Sequence, residues 1–191
     1  MKKAVLLHGT DGSTQDQWFP WLSRELESAG YSVFSPELPE SHTPSRIKYE
    51  DFLKSSGWDF KDNILIGHSS GATTILNLCM TDWLPKLKAV VMIGSFLNQD
   101  LVKKAQWYEN GQFEDLFMDS YDIKKIKNKS DNFIFIHGSD DPFCSIDDAE
   151  ELCSKLNGKF ITINGGHHLG SNSGILEIPQ IIEELNRKNL L

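Results

Sequence analysis

No apolar run in this sequence approaches the ~20 residues needed to cross a bilayer, and no unbroken run of lysine and arginine marks a surface for phosphate backbones. Basic residues number 19 against 27 acidic ones, a net charge of −8 at pH 7. Such a balance repels nucleic acid and anionic lipid, so neither is expected as a partner. Cysteine is scarce. Cys79, Cys144 and Cys153 are an odd set without metal-site spacing, and they read as reduced thiols of a cytoplasmic protein. Metal-hydrolase spacings such as H-E-x-x-H are missing, as is the Gly-Lys-Ser/Thr ending of a P-loop, so no metal or cofactor is expected. Repeats, low-complexity tracts and linkers are missing too, which leaves residues 1–191 as one expected domain.

What is present suffices for a folded core, with 39% hydrophobic and 24% charged residues among 191. Lys2 and Lys3 before a short apolar run imitate a secretory signal. The run ends at once in a glycine turn, however, and reads better as a buried strand over residues 4–7. Residues 18–29 carry Trp18, Trp21, Leu22, Leu26 and Ala29 on one helical face, closed by Gly30. Further strands are expected at 31–34, 63–66, 88–93, 132–136 and 159–163, and further helices at 45–54, 71–80, 146–156 and about 175–186. Residues 95–130 are less regular, with room for one or two short helices. Strands without polar alternation, separated by helices, imply an α/β fold: a mostly parallel sheet with helices on both faces. Ligand sites in such sheets lie beyond the C-terminal ends of the strands.

Directly after the strand at 63–66 stand Gly67, His68, Ser69, Ser70 and Gly71, and then a helix. The pattern is G-x-S-x-G, the nucleophile elbow of the α/β-hydrolase fold. A serine on a tight strand-to-helix turn is exposed to substrate with a helix N-terminus behind it, and glycine two residues either side removes collisions. Chance produces the bare pattern in roughly 6% of chains of this length; the flanking strand and helix make Ser69 the expected nucleophile.

A serine hydroxyl needs an imidazole to take its proton, and the imidazole needs a carboxylate to fix its tautomer. The next two strand ends carry the partners in the required order: Asp140 and Asp141, then His167 and His168. Asp141, just before Pro142, is favoured as the acid, with Asp140 as a turn residue accepting backbone N–H bonds. His167, directly after Gly165 and Gly166, is favoured as the base over His168. The backbone N–H groups of Thr10, in the loop after the first strand, and of Ser70 are the expected oxyanion hole. His8, His68 and His137 read as hydrogen-bonded structural residues, Trp18 and Trp21 as mainly core, and Cys144 as no nucleophile.

His8 to Thr10, Trp18 to Trp21, Gly67 to Gly71, Ser139 to Pro142 and Gly166 with His167 together resemble the small serine hydrolases of the retinoblastoma-binding-protein-nine type, in order along nearly the whole chain. The resemblance implies a reduced α/β-hydrolase core lacking the first strands of larger relatives, and a triad of Ser69, Asp141 and His167. The chain departs from those relatives in having Cys144 and Ser145 where an aliphatic residue and proline are common. It also has His168 where phenylalanine commonly follows the histidine. The choice between the two histidines therefore stays open.

The expected activity is hydrolysis of a small-molecule ester, thioester or amide through an acyl-serine intermediate. The alternative is a hydrolase-fold protein with little turnover that serves as a binding or scaffold module. The aromatic residues within 95–130 would form either a cap over an acyl pocket or a buried insertion.

Overall fold

Apolar runs that lack polar alternation become the strands of a single parallel sheet. The computed structural model describes residues 1–191, the side chain of residue 172 excepted. In chain order the elements are β1 (Lys2–Leu7), α1 (Phe19–Ser28), β2 (Tyr31–Phe34), α2 (Arg46–Ser55), β3 (Ile64–His68), α3 (Ser70–Cys79) and β4 (Ala89–Ile93). They continue as α4 (Ile123–Lys127), β5 (Phe133–Gly138), α5 (Ile146–Lys155), β6 (Lys159–Ile163) and α6 (Pro179–Arg187). The six strands run in the order β2-β1-β3-β4-β5-β6, and every neighbouring pair is parallel.

The alternation hidden in the sequence is between two apolar faces. Val5, Leu7, Leu65, Val90, Met92 and Phe135 face the layer that holds α2, α3 and α5, with Tyr49, Ile75 and Leu152 packed against them. Ala4, Leu6, Ile64, Ile66, Val91 and Ile136 face α1 and α6, through Trp18, Leu22, Leu26, Ile181 and Leu185. The expected fold class is the one observed. The edge strands β2 and β6 have residues partly open to solvent along their length, whereas β3, β4 and β5 are buried throughout.

One region differs from expectation. The last helix starts at Pro179, not near residue 175. Ile178 is non-helical (φ −126°, ψ 76°), because a proline ring drives the preceding residue out of the helical region while suiting the first helical position itself. Within 95–130 there is one turn of 3-10 helix, Val102–Lys104, and then α4. The irregular stretch before α4 contributes Phe96, Val102, Phe113 and Leu116 to a third, small apolar cluster that also contains Cys144. Its backbone is tied down by Asn77 Nδ2 to the Leu116 carbonyl at 2.7 Å and by Arg46 N to the Asp115 carbonyl at 3.0 Å.

The strand order places the site. After β1 the chain moves to one edge, and after β3 it builds toward the other, so a crevice opens beyond the C-terminal ends of β1 and β3. The loop after β1 and the turn after β3 meet there.

Candidate active site

Ser69 sits between β3 and α3 with φ 54° and ψ −122°, a backbone region that a residue with a side chain adopts only under strain. The surroundings enforce it. A Cβ on Gly67 would lie 2.6 Å from the Gly71 carbonyl carbon, and a Cβ on Gly71 would lie 2.3 Å from the Leu7 carbonyl oxygen. The glycines of the motif are therefore steric necessities of strand, turn and helix passing close together. Ser69 N donates to the Ile93 carbonyl at 2.9 Å, which pins the turn to β4. The loop after β1 presses on the same residue, since a Cβ on Gly9 would approach the Ser69 Cβ to 2.9 Å. Thr10 Oγ1 donates to Ser70 Oγ at 3.0 Å, joining that loop to the first residue of α3.

The two aspartates and two histidines form two separate pairs. Asp141 Oδ2 accepts from His168 Nδ1 at 2.8 Å, and these side chains are 1% and 14% exposed. The other oxygen of Asp141 accepts from the backbone N–H groups of Phe143 and Cys144 at 2.9 and 3.0 Å. Burial by itself would raise this carboxyl; the hydrogen bond and charge of His168, with the two N–H groups, outweigh it and hold it below the usual 3.8. Asp140 instead accepts from the His167 backbone N–H at 2.8 Å and lies 2.7 Å from His167 Nδ1, with the side chains 43% and 52% exposed.

The expected partnership of Asp141 with His167 is not what the structure contains. His167 has φ 46°, and its ring turns outward to Asp140. His168 is thrown inward over Gly94, where a Cβ would come within 3.2 Å of its ring. Two successive residues of a tight turn point to opposite sides, so only one can face the crevice. The sequence did carry a signal. Because β5 and β6 are parallel and in register up to Gly138 and Ile163, their loops leave in the same direction. The doublets then pair first with first and second with second, so favouring Asp141 implied His168.

The other histidines are held by hydrogen bonds. His8 Nε2 accepts from Leu38 N at 2.8 Å while its Nδ1 faces the Gly9 carbonyl at 2.8 Å. His137 Nε2 accepts from Ser95 N at 2.8 Å, and burial pushes this ring down to about 4. His68 Nε2 donates to the His168 carbonyl at 2.8 Å. Among the described residues, Asp141, Cys144 and His168 bring ligand-type atoms within 4.8 Å of one another. Both oxygens of Asp141 already accept hydrogen bonds, the Cys144 thiol donates to the Gly94 carbonyl at 3.4 Å, and burial raises that thiol well above its ordinary value, so these groups already have partners in the protein.

Ser69 and His168 line one cavity of about 600 Å³. Its lining includes the apolar Phe96, Val102, Trp107, Phe113 and Phe143 and the polar Thr10, Asp11, Ser13, Asp16 and Gln17. A serine on a strained strand-to-helix turn and a carboxylate-held imidazole thus open onto the same cavity.

Among the described residues no helix is long and apolar enough to cross a membrane. The sequence matches the serine hydrolase family over residues 4–187. It is similar to the serine hydrolase RBBP9 of Rattus norvegicus, 23% identical over 186 residues that cover 96% of this chain and 95% of that one. Among solved structures, the ydeN gene product of B. subtilis superposes with a TM-score of 0.85 at 20% identity, over 98% of each chain. Est1E of Butyrivibrio proteoclasticus with ferulic acid bound superposes with a TM-score of 0.69 at 14% identity, over 100% of this chain and 88% of that one. At such identities the structural likeness concerns the fold, that of α/β-hydrolase esterases.

Proposed function

Given that this chain belongs to the serine hydrolase family, we propose that it cleaves small esters, thioesters or amides through an acyl-Ser69 intermediate, with His168 as base and Asp141 as its orienting carboxylate. One observation carries the assignment of roles: the buried 2.8 Å contact of His168 Nδ1 with Asp141 Oδ2, made by a ring that lines the same cavity as Ser69. With Nδ1 donating to the carboxylate, Nε2 is left as the basic nitrogen. The Ser69 hydroxyl adds to the substrate carbonyl as its proton passes to His168 Nε2. The tetrahedral intermediate collapses, and the leaving group takes that proton. Water, deprotonated by the same nitrogen, then releases the acid and regenerates Ser69. Water and these side chains complete the cycle without a cofactor.

The oxyanion would be held by the backbone N–H groups of Thr10 and Ser70, a role supported by the hydrogen bond that joins these two residues beside the nucleophile. The apolar lining suits an apolar acyl group, and residues 95–130 act as a small cap that supplies Phe96, Val102, Trp107 and Phe113 to it. The three cysteines, buried and unpaired, support a reducing compartment, the cytoplasm.

A fluorophosphonate probe tests the reading. Wild-type protein becomes labelled at Ser69, Ser69→Ala does not, and nitrophenyl esters of rising chain length, set against aminoacyl amides, rank the substrates. A wild-type protein that never labels and cleaves none of them would instead be a binding or scaffold module.

A further inference from the structure

The turn that carries His168 is strained on both sides of it. His167 has φ 46° and Leu169 φ 54°, left-handed conformations that cost a residue with a side chain. Such a turn persists only where its surroundings over-determine it, and here two side chains from elsewhere in the fold grip successive carbonyls. His68 Nε2 lies 2.8 Å from the His168 carbonyl oxygen. Trp18 Nε1 donates to the Leu169 carbonyl at 2.8 Å in a fully buried bond. A carbonyl only accepts, so His68 must carry its proton on Nε2.

The packing fits this ring closely. His68 is 7% exposed, its ring centroid is 4.9 Å from that of His168, and Trp18 meets it edge-on at 6.0 Å. A Cβ on Gly170 would come within 3.2 Å of His68 Cε1, and one on Gly9 within 3.3 Å of its Nδ1. His68 is also the residue immediately before the nucleophile. The covalent chain fixes it to Ser69 and a hydrogen bond fixes it to His168, so one side chain spans nucleophile and base.

We propose, on the basis of the hydrolase reading above, that His68 is a positioning residue: its Nε2–H holds the His168 backbone and so sets the placement of the base against Ser69. Trp18 holds the next carbonyl in the same way. Neutrality is part of the role. Burial, reinforced by the His168 charge, pushes His68 down to about 3; Asp141 opposes this and His137 adds to it. His68 therefore does not compete for the proton that His168 accepts.

The test compares His68→Phe, which keeps a ring but no donor, with His68→Gln, whose side-chain N–H reaches a similar point. A displacement near 1 Å at a catalytic group costs about 10²-fold. The expected result is a kcat lower by about 10- to 100-fold in His68→Phe with KM within about twofold, and recovery to within about threefold of wild type in His68→Gln. A second readout does not depend on turnover: the downfield proton resonance of His168 Nδ1–H, bound to Asp141, is expected in wild type and His68→Gln and lost in His68→Phe. Wild-type kcat and an intact resonance in His68→Phe overturn the proposal, as does a His68→Gln variant that falls as far as His68→Phe. If His68→Phe does not fold, Trp18→Phe removes the neighbouring donor; it is expected to lower kcat and weaken the resonance, and no change in either overturns the proposal. Should wild type neither label nor turn over while the resonance behaves as expected, the hydrolase reading fails and the positioning role stands.

Discussion

Two aspartate–histidine pairs of the same composition and nearly the same length stand side by side beyond β5 and β6. Asp141 and His168 meet at 2.8 Å with 1% and 14% of their side chains exposed; Asp140 and His167 meet at 2.7 Å with 43% and 52% exposed. Distance does not separate them, but burial and direction do. The inner pair reaches, through His168, the cavity that Ser69 lines, while the outer pair closes a surface turn. In the interior an aspartate–histidine contact fixes a tautomer and resists screening; at the surface the same contact is worth little. Burial and what a pair faces therefore set apart two contacts of nearly equal length, and neither property belongs to the dipeptide.

Replacing members of each pair breaks or sharpens this contrast. The largest effect is expected for Ser69→Ala and His168→Ala, with kcat/KM for a nitrophenyl ester falling about 10⁵- to 10⁶-fold. If His167→Ala gave that loss and His168→Ala did not, the assignment of the pairs would be reversed. Asp141→Asn, which leaves His168 without its carboxylate, is expected to lower kcat about 10³- to 10⁴-fold in the same assay.

A smaller effect concerns stability in acid. Burial, the largest cause for each, holds His68 at about 3 and His137 at about 4, against an ordinary 6.5. Between pH 6.5 and about 4 the unfolded chain thus binds about two more protons at these sites than the folded one. Their stabilisation is complete above pH 6.5 and is lost as pH falls. Each proton contributes a slope of about 1.4 kcal/mol per pH unit. Urea unfolding at stepped pH is expected to show His68→Gln with a slope lower by about one proton. An unchanged slope would contradict the burial argument. The smallest effect is expected for the outer pair: Asp140→Asn and His167→Ala leave kcat/KM within about twofold and unfolding free energy within about 0.5 kcal/mol of wild type. A larger loss in either would show that the surface pair supports the turn from which His168 is presented.

Much of the fold was legible in the residues, for reasons that are local. Strands at 31–34 and 159–163 have the expected bounds, and the central strands are shifted by no more than two residues at either end, because β-branched and apolar runs bounded by turn residues have few other uses. The helix after the elbow was marked by Gly67 and Gly71, whose need for close approach is borne out because a Cβ on Gly71 would fall 2.3 Å from the Leu7 carbonyl oxygen. Other features were not local. The start of the last helix depended on what Pro179 imposes on Ile178 against a periodicity that ran on through residue 175. The path of the stretch before α4 depended on side chains far away in sequence, among them Asn77 gripping the Leu116 carbonyl.

By itself the amino-acid sequence determined a parallel sheet covered on both faces, a serine on a glycine-flanked turn, and the order in which carboxylate and imidazole follow it. These rest on spacing, chain sterics and the short range of backbone preference. Tertiary structure alone decided which of the two aspartate–histidine pairs turns inward and what grips its backbone. Those outcomes depend on the sign of φ at a single turn residue and on hydrogen bonds from Trp18 and His68, which lie 151 and 100 residues away from the carbonyls they hold.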